Sequence, residues 1–153
     1  MELTTNIKSF EQLTLDEFHD MIALRIAIFV IEQNCPYQDL DGKDKTSFHA
    51  LLHVNQQLVA TARILPPGIS YNEVSIGRVV VDTAFRGKSI GHELMNVCMN
   101  FVSKQFGEVP VRISAQSHLV KFYNEHGFVS TGKEYLEDNI PHTEMMYSTH
   151  INQ

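Results

Sequence analysis

Apolar residues change their period several times along this chain, and each change predicts an element. Phe18, Met21, Ile22, Arg25, Ile28 and Phe29 recur at helical spacing behind Thr14, Leu15, Asp16 and Glu17, which fit a capping box. The helix should fray or stop before Pro36. Ile7 to Phe10 reads as an opening strand, and Phe48 to Val54 with Leu58 to Leu65 as a hairpin around Asn55 and Gln56, ended by Pro66, Pro67 and Gly68. Val74, Ile76 and the run Val79, Val80, Val81 form a further strand. Its pattern passes from alternating to continuous near Gly77 and Arg78, which predicts a bulge or splay there.

A helix follows, with Ile90, Leu94, Val97, Cys98 and Phe101 on one face and Gly107 and Pro110 limiting its length. The last third predicts a strand over Val109 to Ala115, a short helix over Leu119 to Glu125, and strands over Phe128 to Leu136 and Thr143 to Tyr147, reversing at Asp138 and Asn139. Strand, helix, antiparallel strands, helix, strand, helix and a final hairpin give an α/β or α+β sandwich with a mixed sheet. The alternation is too irregular for a doubly wound nucleotide fold.

Between the valine run and its helix lies Asp82 Thr83 Ala84 Phe85 Arg86 Gly87 Lys88 Ser89 Ile90 Gly91 His92. A strand entering a basic, glycine-containing turn and then a helix builds a phosphate cradle. Arg86 and Lys88 carry charge, Gly87 and Gly91 permit close approach, and the first helical amides have no carbonyl partners of their own. A diphosphate fits this description, and so does an ordinary helix-preceding turn.

Composition narrows the classes. The 153 residues suffice for one domain, 1–153, with its own core, and the 43% hydrophobic and 20% charged content fits a soluble globular protein. A net charge of -6 argues against nonspecific nucleic-acid binding but leaves room for a small basic pocket. Met1 to Asn6 has no basic segment followed by an apolar one and no run approaches membrane-spanning length, so the expected location is cytoplasmic, away from membranes. Cys35 and Cys98 offer no disulfide framework; Cys98 falls on the apolar helix face, and Cys35 in a loop is a plain thiol or a nucleophile. Glu32, Asp39, Asp41 and Asp44 form either an amine-binding rim or a solvated charged loop.

Metal and nucleotide motifs are absent. His49 and His53 would lie about 13 Å apart on a strand, and Gly87 Lys88 Ser89 lacks the earlier glycine of a P-loop. The segment Lys121 Phe122 Tyr123 Asn124 Glu125 His126 Gly127 Phe128 places two aromatic residues on a short helix stopped by Gly127. That serves packing, or it aims the Tyr123 hydroxyl into a cleft.

Together the two segments resemble the Gcn5-related N-acetyltransferase superfamily, and within it the ElaA-like branch. The family's acyl-coenzyme A loop has Arg or Gln, two residues, Gly, one residue, then Gly or Ala; Arg86 and Gly91 fill the ends and Ser89 replaces the middle glycine. Phe122, Tyr123, Gly127 and Phe128 match the family's later aromatic segment. The branch resemblance adds Phe29 to Tyr37, Asp41 and Gly42, Ala115 and Gln116, and Tyr135 to His142.

The resemblance implies an acyl-CoA N-acyltransferase fold whose mixed, mostly antiparallel sheet splays between two parallel strands, here Val74 to Val81 and Val109 to Ala115. It implies transfer of an acetyl group from acetyl-CoA to a primary amine of a small molecule, by a monomer or homodimer. Val79, Val80 and Val81 would meet the pantetheine arm, Arg86, Gly87, Lys88, Ser89, Ile90 and Gly91 the diphosphate, and Asn124 would be a further cofactor-binding residue. Tyr123 would protonate the departing thiol or orient the sulfur. Glu32, Glu73, His118, His142 and Glu144 are chemically fit to take the amine proton, with His118 and His142 preferred as catalytic residues and Glu32 and Glu73 as substrate contacts. A protein or peptide acetyltransferase and a noncatalytic acyl-CoA-binding domain are the alternatives.

Overall fold

In the computed structural model, which describes residues 2–148, the capping box forms as expected. Thr14 Oγ1 accepts from the Glu17 amide at 3.0 Å, and the Glu17 carboxylate accepts from the Thr14 amide at 2.9 Å. The helix it starts, α1 (Leu15–Arg25), does not continue regularly through Phe29: Ile26–Glu32 widen into a π-helical segment. Widening turns the residues that follow relative to a regular helix, as at many functional sites.

Strands β1 (Leu3–Ser9), β2 (Phe48–Val54), β3 (Gln57–Leu65) and β4 (Ser75–Val81) form one antiparallel sheet in that order. β1 is longer and earlier than the strand expected from Ile7, and Phe10 falls in a 3-10 turn. Thr4, Thr5 and Asn6 carry no hydrophobic alternation; they are extended because β2 offers partners from Leu3 opposite Val54 to Ser9 opposite Phe48. Asn55 and Gln56 turn the next hairpin at φ of 49° and 67°, the left-handed pair that a two-residue loop requires.

After β4 come α2 (Ile90–Phe106), β5 (Val111–Gln116), α3 (Val120–Asn124), β6 (Phe128–Glu137) and β7 (Ile140–Tyr147). The last three strands form a second antiparallel sheet, β5-β7-β6. β7 starts at Ile140 rather than Thr143, because Asp138 and Asn139 make a left-handed two-residue turn and Glu137 pairs directly with Ile140. Ile90, Leu94, Met95, Cys98 and Val102 of α2 pack with β2 to β5, Phe128 and Met145, while Met21, Leu24 and Ile28 cover the other face at Leu51, Leu58 and Val80. Burial in that first cluster pushes the Cys98 thiol up to about 12, consistent with a packing role. No helix among the described residues is long and apolar enough to cross a membrane.

The two sheets touch where β4 begins. Val74 bridges Val111 in parallel, and the Arg112 amide donates to the Val74 carbonyl at 2.9 Å. Beyond that point β4 pairs only with β3 and β5 only with β7, so their facing edges separate. A bulge shapes the separation: Thr61 opposes Val80 and Arg63 opposes Gly77, so Arg78 and Val79 share the single partner position of Ala62. Arg78 takes a φ of 50° there. The change of period at Gly77 and Arg78 thus marks the bulge that opens the sheet.

Candidate active site

The gap between β4 and β5 is a cleft of about 1020 Å³. One wall is the β4 edge, Ile76 to Val81, whose backbone is free of a second strand. At its end Asp82 accepts from the Ala84 amide at 2.9 Å and starts a 3-10 turn over Thr83–Phe85, after which the chain swings through Arg86 and Gly87 into α2. Ser89 caps α2 in the left-handed region, at φ 63° and ψ 15°, without a side-chain hydrogen bond to the helix. Here the family's glycine has a physical cause, since a residue without Cβ adopts this conformation at little steric cost. At Gly91 space does not demand glycine: a Cβ on it would stand 3.4 Å from the Phe122 ring and 3.8 Å from Val81 Cγ2, ordinary packing distances that fit the Gly or Ala of the family's loop.

Gly87, Ser89, Ile90 and Gly91 line the cleft with Val79, Val80, Val81 and Arg86; Lys88 and Asn124 are not among the lining residues. The Arg86 guanidinium is already engaged. Its two terminal nitrogens donate to Glu32 at 2.9 and 2.8 Å, and Nε donates to the Val81 carbonyl at 3.3 Å. The hydrogen bond and charge of Arg86 hold the Glu32 carboxyl below its ordinary range. The π-helical segment that bears Glu32 therefore reaches across to the turn that bears Arg86.

Tyr123, on α3, lies deep in the cleft, buried beside Phe122 and Phe128 with edge-on ring contacts to both. Burial, with the neighbouring Cys98, drives its phenol well above the ordinary range, so the neutral, proton-bearing form is the resting one. Phe122 also packs its ring at a tilt against His92 of α2, whose Nδ1 lies 2.8 Å from His126 Nε2. The aromatic segment ties α3 to the start of α2.

The cleft is also lined from β5, the 3-10 turn Ser117–Leu119 after it and the β6–β7 hairpin, through Ser114, Gln116, His118, Glu137, Asp138 and His142. His142 is buried, and its Nδ1 lies 2.7 Å from the Ile140 carbonyl. A carbonyl only accepts, so Nδ1 carries the proton in the neutral ring and Nε2 keeps its lone pair. Glu137 Oε2 is 3.8 Å from that Nε2, Tyr135 stacks on the ring, and Ser114 hydrogen-bonds the Tyr135 hydroxyl. Gln33 and Gln116 exchange two amide hydrogen bonds of 3.2 Å across the cleft, and the Cys35 thiol, buried, donates to the Asp138 carbonyl at 3.5 Å.

The acidic segment divides: Glu32 and Asp41 line the cleft, whereas Asp39 and Asp44 are not the solvated charges of an open loop. Asp39 and Asp44 are buried, and Asp39, Asp41 and Asp44 are bound by arginines. Arg25 donates to Asp39 and Asp44 at 2.9 Å each, Arg63 to Asp41 at 2.8 and 2.7 Å, and Arg78 to the Asp39 carbonyl at 3.0 Å. Tyr37 donates to Asp39 at 2.8 Å and lies against the Arg78 guanidinium. Burial opposes ionisation of Asp44, yet the bonds and charges of Arg25 and Arg63 outweigh it and keep its carboxyl below the ordinary value. Glu73 and Glu144 are likewise committed, both to Arg112, at 2.9 to 3.0 Å. Glu73 is not a lining residue of the cleft. His49, buried, points Nε2 at the Asp44 carbonyl at 2.9 Å.

Of the residues the sequence singled out, the structure brings Val79, Val80, Val81, Arg86, Gly87, Ser89, Ile90, Gly91, His118, Tyr123 and His142 to one cleft, which Ser114, Tyr71, Arg78 and Glu137, not named as candidates, also line. Ser114 and Gln116 carried a signal in the alternation of β5, where Ile113 and Ala115 are buried and the polar residues between them face the cleft. Glu137 lay inside the resembling segment Tyr135 to His142, but no pattern pointed it at the cleft, because its place depends on where the hairpin turns.

Comparison with known proteins gives the class. Residues 17–149 match the family model described as an acetyltransferase (GNAT) domain, and the chain belongs to that family. Among its relatives, Protein ElaA of Escherichia coli (strain K12) is 42% identical over 136 residues, 88% of this chain and 89% of that protein. A UPF0039 protein of Synechocystis is 38% identical over 148 residues, 96% of each chain. The fold matches crystal structures of an acyl-CoA N-acyltransferase from Pseudomonas aeruginosa (TM-score 0.91, 39% identity) and of E. coli ElaA (TM-score 0.90, 38% identity), each covering 96% of this chain and 100% of the other. The acyltransferase fold and ElaA-like membership implied by the motifs are thereby established.

Proposed function

We propose that this protein transfers the acetyl group of acetyl-CoA to a primary amine of a small molecule, both substrates occupying the β4–β5 cleft together. The carrying observation is that the unpaired β4 edge, the α2 start, Tyr123 and His142 all open into one cavity. The cofactor fits the residues present. β4 offers a free backbone edge to an amide-rich arm, and the first-turn amides of α2 lack helical partners and suit a diphosphate. Val79, Val80 and Val81 would hold the arm, and Arg86 to Gly91 the diphosphate, with Arg86 and Lys88 contributing charge and Asn124 a contact from α3.

Acetyl-CoA supplies the activated thioester, whose acyl carbon passes to the amine nitrogen as the C–S bond breaks. The chain's own residues manage position and protons. Holding both reactants in one cleft removes most of the entropic barrier. A β4 amide at Val79 or Val80 donates to the carbonyl oxygen as it gains charge. His142 Nε2 takes the amine proton, with His118 the second group able to do so, and Tyr123 gives its phenolic proton to the departing sulfur. Glu32 and Glu73 would contact the amine only after leaving Arg86 and Arg112.

The small-molecule reading is favoured over a peptide acceptor by one feature. The Gln33–Gln116 amide pair and the Cys35–Asp138 contact span the cleft where an extended peptide would need an open groove. A thiol-release assay over a chemically diverse amine panel, with product mass confirmation, tests the proposal. Acetylated small amines are expected; turnover only with peptides, or acetyl-CoA binding without transfer to any amine, would refute it.

A further inference from the structure

The acidic residues that the sequence offered for amine recognition are neutralised. Of the carboxylates lining the cleft, Glu32 is held by Arg86 and Asp41 by Arg63 and Arg78. Among the described residues, Glu137 and Asp138 have no arginine or lysine within ion-pair distance, and both line the cleft at the end of the β6–β7 hairpin. About half of the Glu137 side chain remains accessible. Its Oε2 lies 3.8 Å from His142 Nε2, and its Oε1 is 3.5 Å from Ser114 Oγ. A carboxylate with no arginine or lysine partner thus stands beside the ring nitrogen that keeps a free lone pair.

We infer that Glu137 selects the acceptor: the substrate is a small alkylamine bound as its ammonium ion between Glu137 and His142 Nε2. This rests on the acetyltransferase reading above. Most primary amines are protonated at neutral pH, and the species in solution is the one a carboxylate attracts. Proton transfer is then local. The ammonium N–H bond breaks, Nε2–H forms, and the neutral amine keeps the lone pair needed for attack while Glu137 stabilises the imidazolium. His142 is held for this by its Nδ1–H donation to Ile140 and by the Tyr135 ring. Glu137 binds and positions; His142 moves the proton. The aromatic residues Tyr37 and Tyr71, both lining the cleft, provide surface for the apolar stem of the amine.

The test uses the coenzyme A complex, in which no transfer occurs. Butane-1,4-diamine and the neutral butan-1-ol are titrated calorimetrically into that complex of the wild-type protein and of Glu137→Gln. The diamine is expected to bind the wild type in preference to the alcohol, and about tenfold more weakly to Glu137→Gln, the loss of one charge-assisted contact. Coenzyme A affinity should be equal in both proteins. Glu137→Asp should retain part of the preference. Equal diamine affinity in wild type and Glu137→Gln, no diamine binding to the wild-type complex, or equal binding of alcohol and diamine would each overturn the inference while leaving the acetyltransferase reading standing. Failure of coenzyme A to bind the wild type would instead remove the reading on which it rests.

Discussion

Replacing Ser89 by glycine should stabilise the protein. Ser89 sits at φ 63° and ψ 15°, and its side chain makes no capping bond to α2, so the serine contributes no compensating contact at the helix start. A residue with a Cβ is disfavoured in the left-handed region by about 1–2 kcal/mol. Glycine relieves that but returns about 0.4–1 kcal/mol through the greater freedom of the unfolded chain. The net gain is about 0.5–1 kcal/mol. For a chain of this length that corresponds to a melting temperature higher by about 1–4 °C. Ser89→Ala keeps the Cβ and its cost and should melt within about 1 °C of wild type. Thermal unfolding of the three proteins side by side is the assay. A lower melting temperature for Ser89→Gly, or a rise in Ser89→Ala equal to that of glycine, would show that backbone conformation is not what the substitution changes.

Tyr123→Phe should preserve the packing against Phe128 while lowering both kcat and kcat/KM for acetyl transfer, with acetyl-CoA affinity little changed; near-wild-type transfer across pH would remove its role as acid. Asp44 and Asp41 have carboxyls held below the ordinary value of 3.8 by their arginines, so their contribution to stability is complete above that pH and lost as pH falls below it. Denaturant titrations should show this as a decline in stability beginning near pH 4, and a flat profile from pH 5 to 2 would contradict the assigned network. Gly127→Ala should destabilise by about 1–3 kcal/mol, because Gly127 has φ of +90° and an added Cβ would meet the Tyr147 ring at 3.1 Å. Unchanged urea unfolding would refute it.

What the sequence showed and hid follows from the range of the forces involved. The capping box, the helical stripe of α2 and the β2–β3 hairpin rest on neighbours within a few residues and were legible. So was the bulge, because inserting one residue at Arg78 shifts the alternation of the strand itself. The π-helical segment was not, since Ile26 to Glu32 has an apolar pattern that a regular helix would also satisfy. Thr4 to Asn6 became strand only through pairing with β2. The ion pairing of the acidic segment was hidden for the same reason: its arginines, Arg25, Arg63 and Arg78, lie on α1, β3 and β4, apart from it in the chain. Breaking one partner of such a buried network costs about 3–5 kcal/mol. Asp39, Asp41 and Asp44 thus secure the wall of the cleft, and the anionic character left inside it lies at the hairpin end.

As proposed above, the β4–β5 cleft would hold acetyl-CoA with its diphosphate on the turn from Arg86 to Gly91. Calorimetric titration of acetyl-CoA into wild type and an Arg86→Ala/Lys88→Ala double variant, at two salt concentrations, tests it most directly. Saturable binding to the wild type that weakens with salt is expected, and in the folded double variant a weaker binding with much less salt dependence. Equal affinity and equal salt dependence in the two proteins would contradict it.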